Sequence, residues 1–355
     1  MEINKNLVYL NGPIKNFKFN LKRGKGHLFR YILDRFRWHY YPRLKHVSKF
    51  PTHVDIELSS ACNLNCPMCY TITDEFKEGV SRQSMDFELY KKLIDECASH
   101  TSNYSIRLSW RGEAFIHPKI FEAIEYAKNK GINEVSLLTH GGFLNPEKFE
   151  RIMLAGIDWI TFSVDGTGES YDKIRAPLKF DETYAKIKEY DKIKKKYKKT
   201  KPVIKVQGVW PAIKESGVEK YNELFDPITD QVASGELRDL LRKDVKVELD
   251  ENYGPCPVLF QRLTIGSDGI VKLCYNDEMG EVDVGDVNKE TIYDVWHGKK
   301  LSKARDAHMR KMGVKELAPC KYCMYPRKTV KIKEKTKNGT VTVNNYTNRE
   351  QVVGK

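Results

Sequence analysis

From residue 51 onward the chain alternates between two patterns, a one-for-one apolar and polar alternation over short runs and a recurrence of apolar residues at helical spacing. His53-Val54-Asp55-Ile56-Glu57-Leu58 alternates as a strand does. Past a cysteine-bearing loop, Phe87, Tyr90, Leu93, Ile94 and Cys97 recur every three or four residues, which predicts a helix with one buried face. Ser84 is its candidate N-cap, and Asp86 and Glu88 suit the positive end of the helix dipole. Ser105 to Ser109 reads as the next strand, and Pro118 opens a helix through Ile120, Phe121, Ile124 and Ala127 that Gly131 ends. Val135 to Thr139 and Trp159 to Val164 are further strands, separated by a helix that Asn145-Pro146 starts and that ends near Gly156. A lysine-rich helix near Ala185 to Tyr197 and a strand at Val203 to Val209 continue the series. From about Gly254 the pattern changes to short strands, a Ser267-Asp268-Gly269 turn and a helix near Ile292 to Trp296. The tail from Lys331 reads either as a hairpin across Lys337-Asn338-Gly339-Thr340 or as a disordered polar segment.

Strand-then-helix units at this period predict a parallel sheet with right-handed crossovers, and five or six of them make a partial barrel. The expected fold class is therefore α/β, a partial (β/α)6 TIM-like barrel followed by a C-terminal α+β unit. In such a barrel the functional groups gather on the loops after the strands, and the cysteine loop lies there. The expected organisation is a basic aromatic extension over 1–50, the barrel over 51–245, the second unit over 246–328 and a basic tail over 329–355.

Composition narrows the function. Hydrophobic residues at 40% and charged residues at 31% suit a folded, water-soluble chain of 355 residues, and no apolar run approaches the roughly 20 residues that cross a bilayer. Met1-Glu2-Ile3-Asn4-Lys5 lacks the order of a secretory signal, so a cytoplasmic, reducing address is expected, where eight cysteines point to metal and not to disulfides. The net charge of +13 sits at the ends: residues 15–45 hold ten lysines and arginines against Asp34 alone, and 327–355 hold eight against Glu334 and Glu350. The body between them is nearly neutral and not a groove built for polyanions. The N-terminal cations are interleaved with Phe17, Phe19, Phe29, Tyr31, Phe36, Trp38, Tyr40 and Tyr41, which suits a membrane surface, a nucleic acid or an anionic substrate, or a helix that closes one end of the core.

Two cysteine constellations carry the chemistry. Cys62, Cys66 and Cys69 place three thiolates on one short loop with no adjacent histidine. Structural zinc wants four ligands, whereas a cubane iron-sulfur cluster held by three cysteines keeps one iron open. Cys256, Cys274, Cys320 and Cys323, with 17, 45 and two residues between successive members, complete either a zinc site or a fully ligated cluster.

The CxxxCxxC loop after a first strand resembles the radical S-adenosylmethionine superfamily. The resemblance implies a 4Fe-4S cluster on Cys62, Cys66 and Cys69 whose open iron binds S-adenosylmethionine, and one-electron cleavage to methionine and a hydrogen-abstracting 5′-deoxyadenosyl radical. Arg111-Gly112-Glu113 stands where the family has Gly-Gly-Glu, so Gly112 and Glu113 are implied to take the methionine ammonium, acceptors that such a group needs. Thr139-His140-Gly141 resembles the family's Thr-Asn-Gly, and Ser163-Val164-Asp165-Gly166 with Arg175 resembles the segment that contacts the ribose and the methionine carboxylate. Gln207, on the next strand, either reaches the cofactor or packs. Met68, Arg111 and His140 depart from the usual residues at their positions. Read singly, Glu113 is a loop carboxylate, Arg175 an ion-pair residue, His140 a satisfied turn histidine and Cys97 a buried thiol.

Cys-x-Gly-x4-Cys followed by a distant CxxC resembles the twitch domain, the shortened SPASM form, and implies one auxiliary 4Fe-4S cluster on Cys256, Cys274, Cys320 and Cys323. The spacing is similar to that of 2-deoxy-scyllo-inosamine dehydrogenase-type enzymes. The resemblance implies an oxidoreductase or lyase acting on a sugar, nucleotide-sugar or aminocyclitol, with a flavodoxin- or ferredoxin-type electron donor. Peptide maturation and nucleic-acid base modification are the alternatives, and no catalytic residue is assigned.

Overall fold

The computed structural model describes residues 7–237, 248–250, 253–337, 339–347 and 351–354. Six strands run parallel in chain order: β2 (His53–Ile56), β3 (Ser105–Arg107), β4 (Glu134–Thr139), β5 (Trp159–Ser163), β6 (Val203–Val209) and β7 (Gln231–Gly235). β1 (Val8–Tyr9) caps the edge antiparallel to β7. The opposite edge is extended by β8 (Arg262–Ile265), β9 (Ile270–Lys272) and β10 (Asp283–Asp286), so ten strands form one open ladder.

The second unit is thus joined to the barrel more closely than its change of sequence pattern suggests. β8 pairs in parallel with β2, with Val54 opposite Leu263 and Ile56 opposite Ile265, and the sheet crosses from one unit into the other. The expected boundary at 245/246 lies outside the described residues.

The strand alternation puts Val54, Ile56, Ile106, Val135, Leu137, Ile160, Phe162, Ile204 and Val206 on the outer face, where they are buried under the helices. The alternate positions, His53, Asp55, Arg107, Glu134, Trp159, Thr161, Lys205 and Gln207, line the lumen. An apolar outer face and a polar inner one make the barrel a hollow vessel and not a packed core. The helix over Phe87–Ser99 buries Tyr90, Leu93, Ile94 and Cys97 as its spacing predicts, but Asp86 and not Ser84 caps it: the Asp86 carboxylate accepts from the N–H groups of Glu88 and Leu89. Asn145 caps the helix Pro146–Leu154 as expected, while the lysine-rich helix begins earlier, at Phe180. The tail forms the hairpin: β11 (Thr329–Thr336) pairs antiparallel with β12 (Gly339–Tyr346), and Asn338 lies outside the described residues.

The basic N-terminal segment folds into α1 (Gly12–Gly24) and α2 (Leu28–Leu44), whose inner faces stopper the barrel where the strands begin. Arg23 is the bolt. Its Nε and Nη2 donate to the two Glu134 carboxylate oxygens at 2.8 Å each, and its guanidinium lies 4.4 Å from the centre of the Trp159 indole. Phe19 meets Trp159 edge-on, and Trp38 meets His53 in the same way.

Burial alone would raise the Glu134 carboxyl; the Arg23 guanidinium reverses this and holds it at about 2, below its ordinary 4.5. A carboxylate whose folded value is depressed stabilises the fold fully above its unfolded value and loses that contribution as pH falls. The N-terminal helices are therefore expected to detach progressively between about pH 4.5 and pH 2. Pepsin, active across this range, is expected to cleave within 12–44 with rising rate as the pH drops, and Glu134→Gln to be cleaved faster at pH 4.5 with a smaller further gain on acidification, since Asp226 and Asp230 still hold Lys15 and Lys22 of α1; a wild-type rate flat across the window would refute the latch.

Candidate active site in the barrel lumen

All the residues singled out from the sequence for cofactor or metal border one cavity of about 810 Å³: Gly112, Glu113, Thr139, Ser163, Asp165, Arg175, Gln207, Cys62, Cys66, Cys69, Cys256, Cys274, Cys320 and Cys323. This is the size of a small-molecule site. Cys97, by contrast, is buried in the apolar core, as expected for a packing thiol.

The cysteine loop follows β2 and is braced from its own backbone. The Cys69 N–H donates to the Cys66 carbonyl at 2.9 Å, the Leu64 N–H points at Cys62 Sγ (3.5 Å), and Thr71 Oγ1 lies 3.0 Å from Cys69 Sγ. The loop after β3 is zipped onto it. The Glu113 N–H donates to the Ala61 carbonyl at 2.8 Å, and a Cβ on Gly112 would lie 2.4 Å from the carbonyl oxygens of both Ser59 and Ala61, so only glycine permits this approach.

Glu113 is buried and held from the loop after β4: Thr139 Oγ1 donates to Oε1 at 2.8 Å and the His140 N–H to Oε2 at 3.0 Å. His140 fulfils the turn role. Its Nδ1 accepts from the Gly142 N–H, which leaves the proton on Nε2, and Nε2 donates to Asn63 Oδ1 at 2.9 Å inside the cysteine loop. Burial pushes this imidazole down, keeping it neutral.

Arg175 gives Nε and Nη2 to Asp165 Oδ2, the first at 2.7 Å, while Asp165 Oδ1 accepts from the Val209 N–H. Burial acts to lower this guanidinium and Asp165 more than offsets it, so Arg175 stays charged beside Cys66. Ser163 ends β5 on the cavity wall, and the Gln207 amide faces the cavity without a hydrogen bond among the described residues.

The second set lies on the other side of the same cavity. Cys320 sits within the short helical turn Ala318–Tyr322 and Cys323 ends it, and a nitrogen faces each sulfur, a donor once that sulfur is a thiolate: His308 Nε2 lies 3.4 Å from Cys320 Sγ and Asn276 Nδ2 lies 3.4 Å from Cys323 Sγ. Neither donor was visible in the sequence, since both lie outside the cysteine motif.

Arg111 departs from the usual glycine, and its partner, Glu57, went unnoticed. Nε and Nη2 meet the two Glu57 oxygens at 2.8 and 2.6 Å in a fully buried fork. The signal was there, because Glu57 continues the inward series His53, Asp55 by two residues.

The donor sets fit iron-sulfur clusters. Both are thiols alone, three in the first set and four in the second, and hydrogen-bond donors stand at their sulfurs. Burial first, with neighbouring thiols adding to it, pushes Cys66 up to about 11 and Cys256 up to about 12, so thiolates become stable here only against a bound cation. The thiols flank the cavity; among the described residues no three His, Cys, Asp or Glu side chains converge on a single ion.

Comparison with known proteins agrees with this chemistry. Residues 56–204 match the Radical SAM superfamily, and residues 256–324 match SPASM, an iron-sulfur cluster-binding domain. The chain is 29% identical over 110 residues to the tungsten-containing aldehyde ferredoxin oxidoreductase cofactor-modifying protein of Pyrococcus furiosus, covering 31% of this chain and 30% of that one. It is 32% identical over 139 residues to the AdoMet-dependent heme synthase of Methanosarcina barkeri, covering 39% and 38%. It thus spans about a third of the length of these curated relatives. In fold it is similar to BtrN in complex with AdoMet and 2-DOIA, with a TM-score of 0.55 at 17% identity over 78% of this chain and 94% of that one. Among the described residues no helix is long and apolar enough to cross a membrane. On these matches and the cysteine-lined cavity together, residues 56–204 are a Radical SAM superfamily domain and residues 256–324 an iron-sulfur cluster-binding domain of the SPASM type.

Proposed function

We propose that this enzyme acts on a polar small molecule, a sugar, nucleotide-sugar or aminocyclitol, held in the barrel lumen between two 4Fe-4S clusters. The observation that carries this reading is the single cavity joining both cysteine sets through a polar lumen. Cys62, Cys66 and Cys69 would hold the first cluster, and Cys256, Cys274, Cys320 and Cys323 the second. When bound, the first supplies the electron that cleaves S-adenosylmethionine to a hydrogen-abstracting 5′-deoxyadenosyl radical, and the second, fully ligated, supplies a place for an electron to go.

The chain's own residues then bind and orient. Glu113, fixed by Thr139 and the His140 N–H, keeps acceptor capacity for an ammonium, with the Gly112 carbonyl beside it. Arg175 has spent Nε and Nη2 on Asp165 and retains Nη1 for a carboxylate. Ser163, Asp165 and Gln207 line the wall where a ribose and an adenine would lie. The outcome favoured by a second cluster with no open iron is net oxidation of an alcohol: the carbon would lose a hydrogen atom to the 5′-deoxyadenosyl radical, its hydroxyl a proton, and the resulting ketyl one electron to the second cluster, leaving a carbonyl. A flavodoxin- or ferredoxin-type protein is the expected donor.

Anaerobic reconstitution with iron and sulfide counting is expected to give about eight irons per chain. Adding S-adenosylmethionine and a strong reductant is expected to yield 5′-deoxyadenosine, and deuterium carried into that product from labelled sugars identifies the substrate. Zinc in place of iron, or no cleavage under reductant, would overturn the reading.

A further inference from the structure

Two cations in the lumen have no carboxylate within ion-pair distance among the described residues. Arg107, on β3, and Lys205, on β6, approach the same indole from different strands: the guanidinium carbon and the ammonium lie 5.9 and 5.8 Å from the Trp159 ring centre. The other cations at this end of the lumen are matched, Arg23 by Glu134, Arg35 by Asp34, and Arg262 by Asp55 at 3.1 Å. Arg107 and Lys205 have no hydrogen bond or ion pair among the described residues, although Lys205 is only 4% exposed. Burial first, and then Arg107 and Arg23, push the Lys205 ammonium down to about 7. A buried ammonium beside a half-buried guanidinium is costly without an anion, and an anion entering from the cavity would favour the charged form of Lys205.

We propose that Arg107 and Lys205, flanking Trp159, form the subsite for a phosphate or diphosphate group of the substrate. A phosphate dianion matches the two uncompensated positive charges, and the guanidinium fork and the ammonium are the donors that phosphate takes. Lys205 lies two residues from Gln207 on the same strand face, about 7 Å further from the cysteine loop. The proposal rests on the lumen being the substrate site, and it selects a phosphorylated sugar or nucleotide-sugar over a neutral sugar or a cationic aminocyclitol, which these two charges would repel.

The test is calorimetric titration of the anaerobically reconstituted protein with inorganic phosphate, glucose 6-phosphate and glucose. Saturable binding of the two phosphates and not of glucose is expected, weakened about tenfold or more by Lys205→Met or Arg107→Met and retained in Lys205→Arg. Phosphate is expected to raise the melting temperature of the wild type but not of Lys205→Met, whose ligand-free form melts higher because an unpaired buried charge is gone. Absence of saturable phosphate binding to the wild type, or variants that bind as well as it does, would overturn the subsite. Failure of the enzyme reading shows separately, as absence of 5′-deoxyadenosine from the wild type.

An independent observation concerns the outside of α1 and α2. Their inner faces grip the barrel, yet Ile14, Phe17 and Leu21 on α1 and Phe29, Ile32 and Phe36 on α2 face solvent, Phe29 at 80% and Ile14 at 71% exposure. They recur at helical spacing and so form one apolar face on each of two packed helices. Lys18, Lys25, Arg30, Arg43 and Lys45 are exposed around them. We infer that this face lies in the headgroup boundary of an anionic bilayer, with the helices in the membrane plane and the cations on lipid phosphates. Charge complementarity selects this occupant: Lys15, Lys22, Arg23 and Arg35 are spent on carboxylates of the protein, but Lys18, Lys25, Arg30, Arg43 and Lys45 are exposed, and the one acid of residues 15–45, Asp34, is buried against Arg35.

The reconstituted protein is expected to sediment with vesicles of about three parts phosphatidylcholine to one part phosphatidylglycerol, and to stay in solution with phosphatidylcholine alone or in high salt. Phe29→Asp with Ile32→Asp, both exposed, is expected to lower vesicle binding about tenfold or more without unfolding the chain. No sedimentation with the anionic vesicles would refute the inference. So would a lipid-free dimer in light scattering that the same substitutions dissociate, which would assign the face to a second copy.

Discussion

Replacing Cys66 by alanine is expected to cut the iron of the reconstituted protein from about eight to about four per chain and to end 5′-deoxyadenosine formation altogether. The reasoning is one of ligand number. The first set has three thiols, and among the described residues the neighbouring polar groups are already spent: Thr71 on Cys69, Asn63 on His140, Arg82 on the Cys62 carbonyl. Nothing stands by to replace a lost ligand. Alanine fits the space, and the backbone bond from the Cys69 N–H to the Cys66 carbonyl does not involve the side chain, so the fold is expected to survive. Cys320→Ala with Cys323→Ala, which leaves the second set two thiols, provides the contrast. It is expected to lose a similar amount of iron, keep cleavage of S-adenosylmethionine under reductant, and stop oxidation of the substrate. Iron analysis and chromatography of the nucleoside separate the two variants. Equal loss of cleavage in both would mean that the sets do not act independently.

Much of this site was legible because its signals are local. The spacing of Cys62, Cys66 and Cys69 is set within one loop, and Gly112, Glu113 and Thr139 each follow a strand that the alternation identifies. What stayed hidden depends on which strands lie side by side. Period-two patterning says that Asp55, Arg107 and Lys205 share the inner face of their strands, but not that β8 would bring Arg262 to neutralise Asp55 and leave the other two cations unmatched. His308 and Asn276 reach their sulfurs from a helix and a turn with no fixed offset from the cysteines. For the N-terminal segment the sequence offers a helix that closes one end of the core beside a surface for a membrane or an anion, and composition cannot separate them because it averages two faces: Phe19, Tyr31 and Trp38 turn inward, Phe17, Phe29 and Phe36 outward. The cap of the helix at Phe87 fell to Asp86 because its carboxylate reaches two backbone N–H groups, which outweighs the preference for serine two residues earlier.

Glu57→Gln is expected to destabilise the protein by about 3 to 5 kcal/mol, because it leaves the Arg111 charge buried without its counter-charge. The pair is 0% and 1% exposed at its side chains, and the guanidinium also stacks 4.1 Å from the Trp110 ring centre. Glu57 does more than neutralise. Its Oε1 accepts from the Arg111 N–H and its Oε2 from the Ser267 N–H, so one carboxylate ties the loop carrying Gly112 and Glu113 to a turn of the second unit. A guanidinium is not deprotonated in proteins, so the arginine cannot shed its charge when the glutamate is neutralised. Replacing both partners, Glu57→Met with Arg111→Met, removes the stranded charge and is expected to recover most of the stability in chemical denaturation. It does not restore the acceptors for the two backbone N–H groups. The double variant is therefore expected to be stable yet to bind S-adenosylmethionine more weakly than the wild type, since the Gly112-Glu113 backbone loses its anchor. Recovery of both stability and binding would mean that packing alone positions this loop.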